Sequence, residues 1–435
     1  MLTEEWKHVE DIMCEEYVGK RVCIRGWIYR RSVVGGKAFV RIRDSTGVIQ
    51  VVVDREVLGN ELVKTLKDIG LEASVKACGE LVKQPKAPGG YEVHADYFEI
   101  VGYSKDFPIK GNEGIEYLLD NRHLWLRSRR LTEIMKIKHT VLKAGRDYFI
   151  ENGWWEVTPP ILTASAVEGG ATLFPVKYFD KTAYLSQSAQ LYLEVLIYSL
   201  EKVWSLTTSF RAEKSRTRRH LAEYWHLEAE AAWYNMEDMM KVAAELVAYI
   251  VDKVLETNRK QLEFLGRKLD VLKRSREPDY PVIKYDEAIT ILQKKGVDIE
   301  WGEDLGADEE RELTKEFDKP FFIYGYPEKA KAFYHKNDPS RPEVTLSADL
   351  LAPEGYGEII GGGERIADAQ ALIEKIERFG LDPKDYEWYI DLRRYGTVPH
   401  AGFGLGMDRL VMWIAGLDHI VDAIPFPRTV TRTYP

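Results

Sequence analysis

Only three of the 435 residues are cysteine, Cys14, Cys23 and Cys78. Their spacing fits neither a zinc ligand set nor a disulfide framework, so the expectation is buried or free thiols in a reducing compartment. Long apolar runs are missing too: no stretch reaches the roughly 18 residues of a membrane span. The charged residues that follow Met1 do not read as a secretory leader, and a cytoplasmic protein is expected. The sequence has no Rossmann glycine fingerprint and no P-loop, so a nucleotide would have to be held in some other way. There is no basic surplus either. The net charge of -9 excludes a surface that clings everywhere to nucleic acid, but leaves room for a local basic face. With 45% hydrophobic and 30% charged residues, the chain is an ordinary globular one, long enough for two or three domains.

The chemistry concentrates in Phe210 to Trp233. Arg211 and Glu213 stand two apart and would share one face of a strand. A basic loop follows from Lys214 to Arg219, and a second expected strand carries His220, Glu223, Tyr224, Glu228 and Glu230. A planar guanidinium suits a phosphate, an aromatic face suits a nucleobase, and buried carboxylates suit an amine or amide. A charged surface hairpin is the plainer reading, and the five basic residues between positions 211 and 219 fit it as well.

Upstream, Lys20 to Arg43 alternates apolar with basic residues and holds eight Lys or Arg with no Asp or Glu. This is a strand signature with one wet face and a candidate polyanion footprint. Strand-like runs at Val48 to Val53, Ala73 to Cys78 and Tyr91 to Val101, with a helix around Asn60 to Asp68, predict a small barrel of the oligonucleotide-binding type. An exposed Phe39 could stack an unpaired base and Gln50 could read its edge, although Phe39 as core serves equally. Ser104 to Gly114 is polar and turn-rich and is assigned as linker.

Leu124 to Gly153 reads as a helix with Ile134, Ile137, Val141, Ala144 and Phe149 in one stripe, followed by an extended run to Leu162. Glu168 precedes two glycines in what reads as a mobile loop or a simple turn. Ser188 and Gln190 open an apolar helix over Leu191 to Val203, as ligand contacts, as capping residues, or both. Asn235 to Asn258 reads as a helix. Further on, Asp349 and Glu358 flank an extended stretch that leads to Gly361 to Gly363 and Arg365. Gly402, Gly404 and Gly406 fall on one face of a strand, flat enough for a purine, and Arg409 opens a helix from Asp408 to Ala415.

F-R-x-E, a loop, then R-H-L-x-E-Y-W resembles motif 2 of the class II aminoacyl-tRNA synthetases, in the subgroup that handles aspartate, asparagine and lysine. The long helix followed by an extended run with Pro159 and Pro160 resembles motif 1, and AGFGLGMDRL resembles motif 3. Gly26, Trp27, Phe39, Arg43, Asp44, Gly47, Ile49 and Gln50 resemble the subgroup's anticodon-binding barrel. The resemblance implies an α+β protein: an OB-fold barrel over residues 1–103, a hinge over 104–125, and a catalytic domain over 126–435. That domain is an antiparallel sheet flanked by helices, with a helical insertion around 235–320. The resemblance also implies ATP and magnesium as cofactors, a tRNA partner and a homodimer formed through motif 1.

Residue by residue, the resemblance assigns Arg211 to the α-phosphate and the substrate carboxylate. His220 and Arg409 go to the outer phosphates, flanked by Arg219 and Leu221, and Tyr224 goes under adenine. Glu213 contacts the base or positions the loop, and Gly406 belongs to the same nucleotide site. Asp349 and Glu358 go to the metal, although Ile360 and Gly361 stand where aspartate enzymes often carry serines. Glu168 reaches the substrate ammonium, with Ser188, Gln190, Leu193, Glu228 and Arg365 around the amino acid. Phe39, Gln50 and Arg25 go to the anticodon. Aspartate enzymes carry a lysine in Q-L-Y-K where this chain has Leu193, and an aspartate where it has Glu228. Without that cation a carboxylate side chain loses its partner, and Glu228 repels it while accepting from an amide NH2. Asparagine and tRNA(Asn) are therefore the expected substrates. The alternatives are an aspartate-charging enzyme, one tolerant of both tRNAs, a tRNA-independent asparagine synthetase, and a non-catalytic RNA-binding module.

Overall fold

The computed structural model describes residues 5–164, 166–167, 172–215 and 217–435. It contains two compact units, residues 1–119 and 120–435. Residues 103–114 are neither helix nor strand.

In the first unit the alternating stretch forms two strands, Arg21–Val34 and Lys37–Arg43, joined at Gly35 and Gly36. Both glycines have positive φ, +60° and +84°, which a side chain would resist. Val22, Ile24, Ile28, Ala38, Val40 and Ile42 point inward and the basic residues outward. Val48–Asp54, Tyr91–Gly102 and Ser74–Lys83 complete a closed five-stranded barrel, and a helix spans Asn60–Asp68.

Strand register corrects the cysteine expectation. Cys23 stands opposite Cys78 in the antiparallel pair, and the two form a disulfide; only Cys14 is a free thiol. The partners lie 55 residues apart, so spacing in the sequence could not reveal a bond that depends on which strands become neighbours. Without reductant, iodoacetamide should label one cysteine, and after reduction and unfolding it should label three. Loss of the bond should cost about 2–4 kcal/mol. Labelling of all three in the unreduced, unfolded protein would show that the bond does not form.

The second unit is built on an eight-stranded sheet. Its order is Val282–Lys284, Phe321–Tyr324, Ser347–Ala352, Gly357–Glu364, His400–Gly406, Glu223–Ala232, Lys202–Phe210 and Trp155–Glu156. The six central strands are antiparallel, as expected, but each edge strand pairs in parallel. The first long helix spans Arg129–Glu151, capped by the Ser128 hydroxyl on the Leu131 amide, so it starts later than the expected Leu124. Its predicted stripe is fully buried, and Phe149 stacks on Trp204 of the sheet at 5.2 Å. The second helix, Gln190–Leu200, stops short of the expected Val203: Glu201, at φ +63°, turns the chain into the Lys202 strand. Met236–Thr257 is closed by a reciprocal cap between Asn235 and Asp238. The 235–320 block is not wholly helical, because its Val282–Lys284 strand joins the sheet edge. No helix among the described residues is long and apolar enough to cross a membrane.

Candidate functional site

The motif 2 hairpin is shorter than the sequence suggests. Its strands end at Phe210 and begin again at Glu223, so Arg211, Glu213 and His220 lie in the connecting loop. Arg211 still donates its amide to the Ala222 carbonyl at 2.9 Å, which ties the loop base to the sheet. The loop, the motif 3 strand and Glu358 enclose a cavity of about 70 Å³. Arg211, Glu213, Arg219, His220 and Leu221 line it from the loop, Tyr224 and Glu358 from the sheet, and Gly406 and Arg409 from motif 3. Every residue expected at the nucleotide therefore borders one space. Burial, with Arg409 and Arg219 nearby, pushes the His220 imidazole down to about 4. At neutral pH it is an uncharged ring, with Nδ1 facing the Ser215 and Thr217 hydroxyls.

A second cavity, about 250 Å³, adjoins the first, and Arg211, His226, Glu358 and Gly404 border both. Ser188, Gln190, Leu193, Glu228 and Arg365 line it. Glu228 accepts from the Ser188 hydroxyl and from the Ala189 amide at 2.8 Å, which pins its carboxylate to the start of the Gln190 helix. Ser188 Oγ also accepts from the Gln190 amide, so it serves the helix start and lines the cavity. Arg365 donates from Nε and Nη2 to the two oxygens of Glu230, both at 3.1 Å. Glu168 lies outside the described residues.

The expectation of a flat glycine face needs correction. Across the sheet, Glu230 stands beside Gly402 and His226 beside Gly406, with Glu228 beside Gly404. The Glu230 carboxylate fills the space over Gly402, and the His226 ring fills the space over Gly404. Two of the three glycines thus make room for side chains of the neighbouring strand; Gly406 faces Arg409. A methyl at position 402 would meet the Glu230 carboxylate and the Ala229 carbonyl. Gly402→Ala should therefore destabilise the fold by about 1–3 kcal/mol, visible as a lowered Tm. An unchanged Tm would show that Glu230 can move aside freely.

Asp349 and Glu358 come from adjacent strands joined by a tight turn, and their side chains converge over Gly361. A Cβ there would lie 3.3 Å from Asp349 Oδ1 and 3.2 Å from Glu358 Oε1. Asp349 Oδ1 is buried and has no hydrogen-bond partner among the described residues, while Oδ2 accepts from Lys331 at 2.5 Å. Burial pushes the Asp349 carboxyl up to about 7, opposed by Lys331 and reinforced by Glu358. For Glu358 burial acts the same way, but Arg409 and Lys331 outweigh it and hold the group at about 2. Paired carboxylate oxygens with one left unsatisfied fit a hard divalent cation. Neither Ile360, which is buried, nor Gly361 supplies a hydroxyl here, and the hydroxyl beside Asp349 belongs to Tyr326.

Sequence reasoning missed Asp304, Glu310, Lys331 and His335, all of which line the larger cavity. Glu310 pairs with Arg219 and accepts from the Glu358 amide at 2.7 Å. It sits in the block expected as a helical insertion, and no local pattern marks it. Lys331 and His335 belong to the run Lys331 to Lys336, whose mixed basic and aromatic character was the only visible signal.

On the barrel, Phe39 is half-buried on the outward face beside Arg41, which stands opposite Gln50. The Gln50 amide donates to Glu92 at 2.8 Å. Arg25 does not join them. Phe39 pairs with Ser32, seven residues further along the same strand, so Arg25 lies roughly 20 Å away. It borders a separate cleft with Trp27 and Lys76.

The family model described as tRNA synthetases class II (D, K and N) matches residues 114–430. The chain belongs to this family. A second model, the OB-fold nucleic acid binding domain, matches residues 22–101 of the synthetase. A protein from Thermococcus gammatolerans named asparagine–tRNA ligase is 57% identical over 420 residues, 97% of each chain. One of the same name from Thermoplasma acidophilum is 48% identical over 98% of this synthetase and 99% of its own length. The crystal structure of asparaginyl-tRNA synthetase from Pyrococcus horikoshii, complexed with asparaginyl-adenylate, matches with a TM-score of 0.96 at 55% identity, covering both chains fully.

Proposed function

We propose that this chain activates L-asparagine with ATP to asparaginyl-adenylate and transfers the asparaginyl group to the terminal ribose of tRNA(Asn). The observation that carries the reading is the pair of adjoining cavities with Arg211 on their common border. One is lined by cations suited to phosphates, and the other by Leu193 and Glu228 where an aspartate side chain would need a cation.

Attack of a substrate carboxylate oxygen on the α-phosphorus, which breaks the α–β anhydride bond and expels pyrophosphate, brings two anions together. The protein's task is alignment and charge neutralisation rather than proton transfer. Arg211 faces both groups, His220 and Arg409 take the outer phosphates with Arg219 and Leu221 beside them, and Tyr224 supports adenine. Glu213 contacts the base or positions the loop, and Gly406 borders the nucleotide. In the amino-acid cavity Arg365 meets the side-chain amide oxygen and Glu228 its nitrogen. Ser188, Gln190 and Leu193 complete the wall, and Glu168 reaches the ammonium group. Asp349 and Glu358 would hold magnesium, which when bound adds positive charge beside the ATP phosphates.

Phe39 and Gln50 take the anticodon on the barrel. Arg25, the third residue expected at the anticodon, stands apart from them on the strand and would meet it only through a longer stretch of the tRNA. Trp155, Ile161 and Leu162, near motif 1, leave apolar side chains exposed, which supports pairing of two copies; light scattering tests this. A cytoplasmic location fits the need for tRNA and ATP.

The deciding experiment is amino-acid-dependent ATP–pyrophosphate exchange with asparagine and aspartate side by side. Exchange with asparagine alone is expected. Exchange with aspartate alone would keep the reaction class and overturn the choice of amino acid.

A further inference from the structure

Beneath the amino-acid cavity lies a carboxylate with no part in the assignments above. Glu194 is fully buried, one helical turn beyond Gln190. Its Oε2 accepts from the Tyr389 hydroxyl at 2.7 Å and from Arg393 at 2.5 Å, and His400 Nε2 lies 2.9 Å away. Its Oε1 accepts from the Gln190 side-chain amide at 3.0 Å. Burial opposes ionisation of Glu194, but the Arg393 guanidinium and His400 outweigh it and hold the carboxyl well below its usual range. Glu194, Glu230 and His400 cluster closely enough to suggest a metal site. Glu194 and Glu230 each already face a guanidinium, Arg393 and Arg365, so the cluster is internally neutralised.

What the network does control is the orientation of one amide. An ionised carboxylate only accepts, so it can bind only the NH2 end of Gln190. Gln190 lines the cavity, and with one N–H held by Glu194 its amide plane is fixed, which leaves the oxygen as the acceptor it offers a ligand. We propose that Glu194 is a positioning residue for substrate recognition: by holding the Gln190 nitrogen, it turns the Gln190 oxygen toward an N–H group of the bound amino acid. That group is the ammonium or the side-chain amide of asparagine. The assignment rests on the function proposed above. Oε2 faces Tyr389, Arg393 and His400 together, so Glu194 cannot turn away to release Gln190 without costing the buried Arg393 guanidinium its counter-charge.

Glu194→Gln makes the partner ambiguous, since a glutamine can donate as well as accept, and Gln190 becomes free to flip. Asparagine-dependent exchange should then show a KM raised by roughly tenfold or more with kcat changed by less than about threefold. A merely structural role would lower kcat or the fraction of active protein and leave KM alone. The effect should also disappear in a Gln190→Met background, because both changes remove the same acceptor. The variant Glu194→Gln with Arg393→Met removes both charges of the buried pair; it covers the case in which the single variant does not fold, and should show the same rise in KM. With aspartate as competing substrate, a fall in the preference for asparagine assigns the contact to the side-chain amide, and an unchanged preference assigns it to the ammonium. A KM within about twofold of wild type in a folded variant, or a penalty that adds fully to that of Gln190→Met, would overturn the assignment. Exchange by the wild type sets the two questions apart: if it is absent with asparagine, the proposed function fails, and this assignment with it.

Discussion

Arg211→Ala is expected to lower asparagine-dependent ATP–pyrophosphate exchange by roughly 10²–10³-fold, with most of the loss in kcat. The side chain borders both cavities, and the hydrogen bond from its backbone amide to the Ala222 carbonyl fixes the loop from which it projects. A cation in that place meets the two anions that must approach each other, and the charge it neutralises is greatest in the transition state. Fold and nucleotide cavity should survive, because the loop stays anchored through its backbone and the remaining cations, Arg219 and Arg409, are held by Glu310 and Glu358. The check is steady-state exchange together with equilibrium ATP binding. A loss confined to KM would mean that Arg211 only binds, and activity near wild type would remove it from the chemistry.

The double variant Leu193→Lys with Glu228→Asp should move the preference toward aspartate by about 10²-fold, the equivalent of roughly 3 kcal/mol. Leu193 is 1% exposed, packs against Ala189, Ile197, Val203 and Ala232, and also lines the cavity. A lysine there would bury its stem in the same cluster and bring an ammonium to the cavity. Shortening Glu228 withdraws a carboxylate that Ser188 and Ala189 now hold in place, so repulsion of a second carboxylate falls as attraction appears. The quantity to measure is the ratio of kcat/KM for the two amino acids. If that ratio does not move in a variant that still exchanges, Leu193 and Glu228 do not set the choice.

Much of the fold could be read from local patterns, because those patterns report which face of each element is wet. The barrel strands, the Asn60–Asp68 helix and the Asn235-capped helix agree closely with their periodicity and caps. Boundaries slipped where one residue decides them, as at Glu201, whose positive-φ backbone turns the helix into the Lys202 strand. The resemblance drew together residues from three distant segments, and the structure sets those expected at the nucleotide around one cavity and those expected at the amino acid, Glu168 apart, around its neighbour.

Residue type and order along the chain thus determined the element types, the class of the site, and the absence of a lysine where a second carboxylate would need one. Packing between distant segments decided the rest. Cys23 meets Cys78 because two strands became neighbours. Glu230 and His226 occupy the glycine face because the adjacent strand delivers them there. Glu194 draws Tyr389, Arg393 and His400 from about 200 residues away into one buried network. The physical reason is the same each time: a buried polar group must find a partner, and which partner it finds depends on which surfaces the folded chain presses together.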